Sequence, residues 1–210
     1  MKGKTENLTH YRQELKERIL NVAMQMFRQQ GIRAVKMDDI AKRLTISKRT
    51  LYEIYANKEE LLLEGVKMRQ QKNESALQKV AENGNVMDVL LTFYHQQMND
   101  LKGVSPLFFS DIQRFPRIIN HLEELHERHN EQNLQFFQWG VKDGYFRKDV
   151  DFALVSAFAS GSLRSAMQTE LYKRYDSGYI FRNVILLFMR GFCTEKGLAI
   201  IENLLEETND

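Results

Sequence analysis

Lys48, Arg49, Thr50 and Tyr52 stand within five residues of one another and combine two cations, a hydroxyl and a phenol. On one face of a short helix such a set has a definite chemistry. Cations and hydroxyls reach phosphates, and an arginine pairs with guanine through two parallel hydrogen bonds. The flanking residues supply the helix. Ser47 is an N-cap type whose hydroxyl accepts from an orphan backbone N–H of the first turn. Leu51 and Ile54 give the inward side. Just upstream, Met37, Ile40, Ala41 and Leu44 recur at helical spacing, and Thr45-Ile46 is left as the turn. Residues 31–61 therefore read as helix, turn, helix and the start of another helix. The second helix is of the kind that enters a DNA major groove. Tyr55 and Lys58 fall at the start of the next helix, where free N–H groups favour a phosphate. Lys36 adds a cation before the first of the pair.

Other chemistries are poorly served. His121, His126 and His129 lie with Glu123, Glu124 and Glu127 in HLEELHERH, but His126 and His129 are three apart, not the four of the zinc-protease helix. Glu123 and His126 form half of a di-iron pattern, with no second half in the chain. Cys193 is the one cysteine and reads as a small buried apolar residue. Ser160-Gly161-Ser162 lacks the order of a nucleophile elbow. With no paired acid–base set visible, the expectation is a protein that is not an enzyme, uses no cofactor and holds no metal.

The elements that position the basic set are helices throughout. The 210 residues contain two prolines, Pro106 and Pro116, and 11 glycines, too few for a turn-rich β fold. The fold class expected is all-α. Helices are predicted over about 11–30, 58–81, 86–101, 116–142, 151–172, 179–193 and 198–206, besides the short pair and one opened by Ser105-Pro106. The first ten residues read as a basic arm without structure. Charge divides along the chain. Residues 1–72 carry 16 Lys and Arg against 9 Asp and Glu, whereas the remainder carries 14 against 19. A basic first third beside an acidic rest fits a nucleic-acid module joined to another kind of domain. No apolar run approaches the ~20 residues of a membrane span, and the N-terminus has no signal-peptide core. A cytoplasmic protein is expected.

The basic run and its surroundings resemble the DNA-binding domain of the TetR-type transcriptional regulators. Arg18 to Ala23, Phe27 and Gly31 look like that family's first helix; Ile40-Ala41, Leu51-Tyr52, Tyr55 and Lys58-Glu59-x-Leu61 fall at its later positions. The resemblance covers about 12–72. Two residues depart from it. Lys36 replaces a capping threonine, a loss of about 1 kcal/mol. Thr45 replaces a turn glycine and puts a β-branched residue at a turn position that favours positive φ, which is unfavourable; a locally adjusted turn is expected.

The resemblance implies a DNA-binding domain over 1–60 and an effector-binding and dimerisation domain over 68–210. It implies a homodimeric repressor that binds a palindromic duplex operator and leaves it when a small hydrophobic ligand binds. The DNA-contacting set is Lys36, Ser47, Lys48, Arg49, Thr50, Tyr52, Tyr55 and Lys58. Aromatic density between 93 and 139 suggests Phe93, Tyr94, Gln97, Met98, Phe109, Phe136 and Trp139 as ligand walls. Dimer contacts are expected through 151–172 and 179–193, where Phe152, Val155, Phe181, Val184, Ile185 and Phe192 make both helices strongly apolar. A ligand-independent DNA-binding protein of the same fold is the nearest alternative, and a helical enzyme a more distant one.

Overall fold

The computed structural model describes the backbone of residues 2–128 and 130–207. Among these the chain forms eleven α-helices and no strand. They are α1 (Lys2–Gln30), α2 (Met37–Leu44), α3 (Lys48–Ile54), α4 (Lys58–Asn83), α5 (Val86–Leu101), α6 (Pro106–Ile112), α7 (Pro116–Arg128), α8 (Asn130–Lys142), α9 (Phe152–Gln168), α10 (Ser177–Phe192) and α11 (Glu195–Glu207). The all-α expectation holds. Two bounds differ most from the sequence reading. α1 begins at Lys2, not near Tyr11, because a helix extends its own i→i−4 ladder without needing a core. The stretch read as one helix from 116 to 142 is helical on both sides of residue 129, which lies outside the described residues. α9 ends at Gln168, where Glu170 turns left-handed (φ 56°) and a 3-10 turn over Leu171–Lys173 follows.

The chain divides into two compact units. The first joins residues 1–71 to 103–121. Its core takes Leu15, Ile19, Ala23 and Phe27 from α1, the four inward residues of α2, Leu51 of α3 and Leu61 to Leu63 of α4. Ile118 of α7 is fully buried in the same core, and Phe108 and Ile112 of α6 pack against it. Residues 103–121 thus cluster with the N-terminal helices, although the sequence reading groups them with the C-terminal domain. Gly31 shows what α6 contributes. It has φ +88°, and a Cβ added there would lie 2.8 Å from Leu107 Cβ.

The second unit, 72–102 with 122–210, has two apolar centres. One gathers Phe136, Phe137, Trp139, Phe146, Phe152 and Phe192 with Val86, Met87 and Met189. Phe146 is at its middle, edge-on to Phe192 at 5.0 Å and 5.6 Å from Phe136. Gly140 lies against the Phe146 ring so closely that a Cβ would fall 2.0 Å from it. The second centre pairs Tyr94 with Phe181, their rings stacked at 6.3 Å, beside Phe93, Met98 and Leu163. Cys193 is buried beside the first centre, and burial pushes its thiol up to about 12. A thiol so held is not a reactive thiolate at neutral pH.

The turn between α2 and α3 keeps its tight geometry despite Thr45. That residue takes φ 57° and ψ 40°, the left-handed conformation, while its N–H reaches Lys42 O and the N–H of Ile46 reaches Ala41 O at 3.0 Å. The expected adjustment does not occur; the backbone accepts the strain in exchange for two satisfied carbonyls. A β-branched residue there costs on the order of 1–2 kcal/mol. Thr45→Gly will therefore stabilise the first unit, raising its melting midpoint by roughly 4–8 °C for each kcal/mol recovered. Thermal melting followed by circular dichroism measures this, and an unchanged or lowered midpoint would show the strain to be absent.

Candidate nucleic-acid interface

α3 is seven residues long, too short to persist alone, so its ends and its buried side must hold it. Ser47 does the first: its Oγ accepts from the Thr50 N–H at 3.0 Å and lies 2.8 Å from Thr50 Oγ1. Leu51, fully buried, does the second. With one side anchored, Lys48, Arg49, Tyr52 and Glu53 are all exposed. Arg49 shows 89 % of its side chain to solvent, and Tyr52 is about half exposed (48 %).

The cations of this face carry carboxylate partners. Lys48 Nζ is bonded to Asp38 of α2. Arg49 Nε donates to Glu53 Oε1 at 2.9 Å, one turn along α3. Each hydrogen bond raises the cation's pKa above its ordinary value, so both stay charged. Lys36 is exposed just before α2. An ammonium cannot accept a hydrogen bond, so the capping threonine's role is split. The Lys36 N–H donates to the Asp39 carboxylate at 3.0 Å, and the backbone of Lys36 accepts from Asp39 N–H.

Two residues assigned to the surface do not join it. Tyr55 is 1 % exposed within the core of the first unit, with Lys16 Nζ 5.8 Å from its ring centroid. Burial, then the charges of Glu64 and Glu60, raise its phenol pKa. Lys58 turns inward. Its Nζ donates to Ile32 O at 2.7 Å, Val35 O at 2.9 Å and Arg33 O at 3.4 Å, tying α4 to the loop between α1 and α2. Burial lowers its pKa, the Asp111 carboxylate opposes that, and Arg33 adds to it. The reason is local: the α1–α2 loop turns three carbonyls toward one point, and an ammonium has three donors to match them. Lys58 here shapes the loop that precedes α2.

Asp111 of α6 completes that corner and is invisible to motif reading. It is buried, and it accepts the Arg33 N–H at 2.8 Å. No periodicity or spacing links residues 78 apart; only a buried acid in a mostly apolar short helix marks it.

The aromatic candidates for a ligand site are distributed. Phe93, Tyr94 and Met98 share the Phe181 centre, with Gln97 half-buried on the same helix. Phe136 and Trp139 belong to the Phe146 centre. Phe109 is in the first unit, edge-on to Phe108 at 5.8 Å. Of the histidine run, His121 Nε2 lies 3.3 Å from Gln70 Oε1. His129 and the side chains of His126 and Glu127 lie outside the described residues. No group of three metal-ligand side chains occurs among the described residues.

Residues 19–64, which hold the whole of α2 and α3, match the family of bacterial regulatory proteins called tetR. That part of the chain is similar to the tetR-family domain. The basic face therefore stands on that domain's helix-turn-helix. A relative in Bacillus subtilis (strain 168), an uncharacterized HTH-type transcriptional regulator, is 26 % identical over 110 residues. That match spans 51 % of this chain and 58 % of the relative, so about three-fifths of the relative's length is covered. A solved tetR-family regulator from Agrobacterium tumefaciens superposes over 87 % of this chain and all of its own, with a TM-score of 0.68 at 12 % identity. A regulator from Saccharomonospora viridis, solved in complex with choline, covers the same shares with a TM-score of 0.66 at 19 % identity. At these identities the likeness is one of fold, and it extends beyond the tetR-family domain into the second unit. No helix among the described residues is long and apolar enough to cross a membrane.

Proposed function

We propose that this chain is a homodimeric, DNA-binding regulator of transcription, a repressor that a small hydrophobic ligand releases from a palindromic operator. The carrying observation is the face of α3. A capped helix, anchored through Leu51 on the apolar core, presents Lys48, Arg49 and Tyr52 to solvent on a tetR-family domain. Lys36, Ser47 and Thr50 extend that face, the first two by their exposure and the third through its hydroxyl beside Ser47.

The second unit supports the dimer. Leu154 and Phe158 of α9 are 54 % and 61 % exposed, and Leu187 of α10 is 70 % exposed. Gly161 and Gly191 have open space where a Cβ would stand. Two neighbouring helices with apolar and small residues turned outward suit a two-fold mate that packs against the same helices. Phe181 and Phe192, grouped with the interface from sequence, are buried within the protomer, because α9 and α10 pack against α5 and the Phe146 centre on their other side. The Tyr94 centre, apolar with Gln97 beside it, suits a hydrophobic or amphipathic effector. Such a ligand would shift DNA binding only by its differential affinity for two states of the protein.

Selection from a random duplex pool tests the reading, followed by sedimentation of the protein with the winning duplex. The expected result is an inverted repeat with two chains per duplex and half-sites one helical turn, or a multiple, apart. A pool that gains no sequence, or a single chain on a single half-site, overturns it.

A further inference from the structure

A carboxylate on the face that meets a polyanion is out of place unless it has a task. Glu53 is on that face, 58 % exposed and one turn beyond Arg49, and its Oε1 accepts from Arg49 Nε at 2.9 Å. The fold does not explain it, since an exposed pair at this spacing contributes little to stability. The geometry of the guanidinium does. The group is planar, with donors on two edges. Glu53 takes the Nε side, so this hydrogen bond does not use the two Nη atoms. The edge those atoms form has the spacing of guanine O6 and N7. The bond biases a long side chain toward rotamers that keep Nε on Glu53, so somewhat less freedom is lost when the base is met. Glu53 also repels phosphates, which raises the cost of binding wherever no guanine rewards Arg49.

We propose that Glu53 is a specificity-determining positioning residue, which aims Arg49 at a guanine in the major groove and penalises attachment to DNA lacking it. This rests on the reading of α3 as a recognition helix. The Lys48–Asp38 pair differs in kind: a lysine is a compact point charge without a fork to aim, so exchange of Asp38 for a phosphate loses no base reading.

The experiment uses the full chain as wild type, Glu53→Ala, Arg49→Ala and the double variant, each selected against a random duplex pool. Affinity for a non-specific duplex is measured beside each selection. Wild type is expected to demand guanine at one position of each half-site. Arg49→Ala should relax that position by roughly tenfold to a hundredfold, the span of one good bidentate pair; the Glu53 variant should relax it by a smaller, several-fold amount, and the double variant no further than Arg49→Ala. Glu53→Ala should also bind the non-specific duplex several-fold more tightly, with a melting midpoint little changed. If Glu53→Ala keeps the guanine preference that Arg49→Ala loses, the positioning role is wrong while the recognition helix stands. If Arg49→Ala loses no position, Arg49 does not read a base and the proposal fails. If wild type selects no sequence at all, the DNA-binding reading fails with it.

Discussion

Lys48→Ala, Arg49→Ala and Tyr52→Ala combined will leave the protein folded and reduce its affinity for the selected duplex by at least about a thousandfold. The side chains are exposed, and alanine favours helix, so stability should move by no more than about 0.5 kcal/mol. Ser47 and Leu51, which hold α3 in place, are untouched. On the two-fold site proposed above, every loss would count twice. An arginine–guanine pair discriminates by about 1–3 kcal/mol, and two half-sites double that before the lysines and tyrosines are considered. Each phosphate that the variant no longer neutralises also flattens the dependence of log affinity on log salt by about 0.9. Fluorescence anisotropy over a salt series reads both quantities. Wild-type affinity with a wild-type slope would remove α3 as the recognition element.

Phe146→Ala will destabilise the second unit by about 3–5 kcal/mol, the usual cost of removing a buried phenyl ring. The ring is 2 % exposed and touches Phe136, Phe137, Phe152 and Phe192. Gly140 cannot fill the space, for it has no side chain to rotate in. Domains of this kind have total stabilities of about 5–15 kcal/mol, so the variant should melt roughly 10–25 °C lower. Phe146→Leu, which leaves a smaller void, should lose distinctly less. Thermal unfolding of the three proteins under one condition decides this. A shift of only a degree or two for the alanine variant would mean that the aromatic centre closes over the gap.

The helix pair around the turn is legible in the sequence because its determinants are local. Met37, Ile40, Ala41 and Leu44 are the buried residues of α2, as their spacing requires, and Ser47 caps α3 through its own hydroxyl. Thr45 marks the edge of that legibility. Its type speaks against a left-handed turn, and the carbonyls left at the end of α2 outweigh it. Lys58 and Asp111 lie beyond reach for another reason. One resembles any lysine at a helix start, and its inward turn depends on three carbonyls of a loop about 25 residues upstream. The other matters through a partner 78 residues away. The distribution of aromatics between two centres has the same character: density in sequence does not say which rings share a space.

The discontinuity of the first unit bears on how it is made. Ile118 belongs to its core and Leu107 abuts Gly31, so the unit stays incomplete after residue 71 has been synthesised. Residues 72–102, which belong to the other unit, must emerge before 103–121 can close it. At roughly 5–20 residues per second, the helix-turn-helix waits on the order of seconds on the ribosome with part of its apolar surface uncovered. A fragment ending at Gln71 would stay in that condition permanently, so the shortest autonomous version of the DNA-binding part has to reach His121.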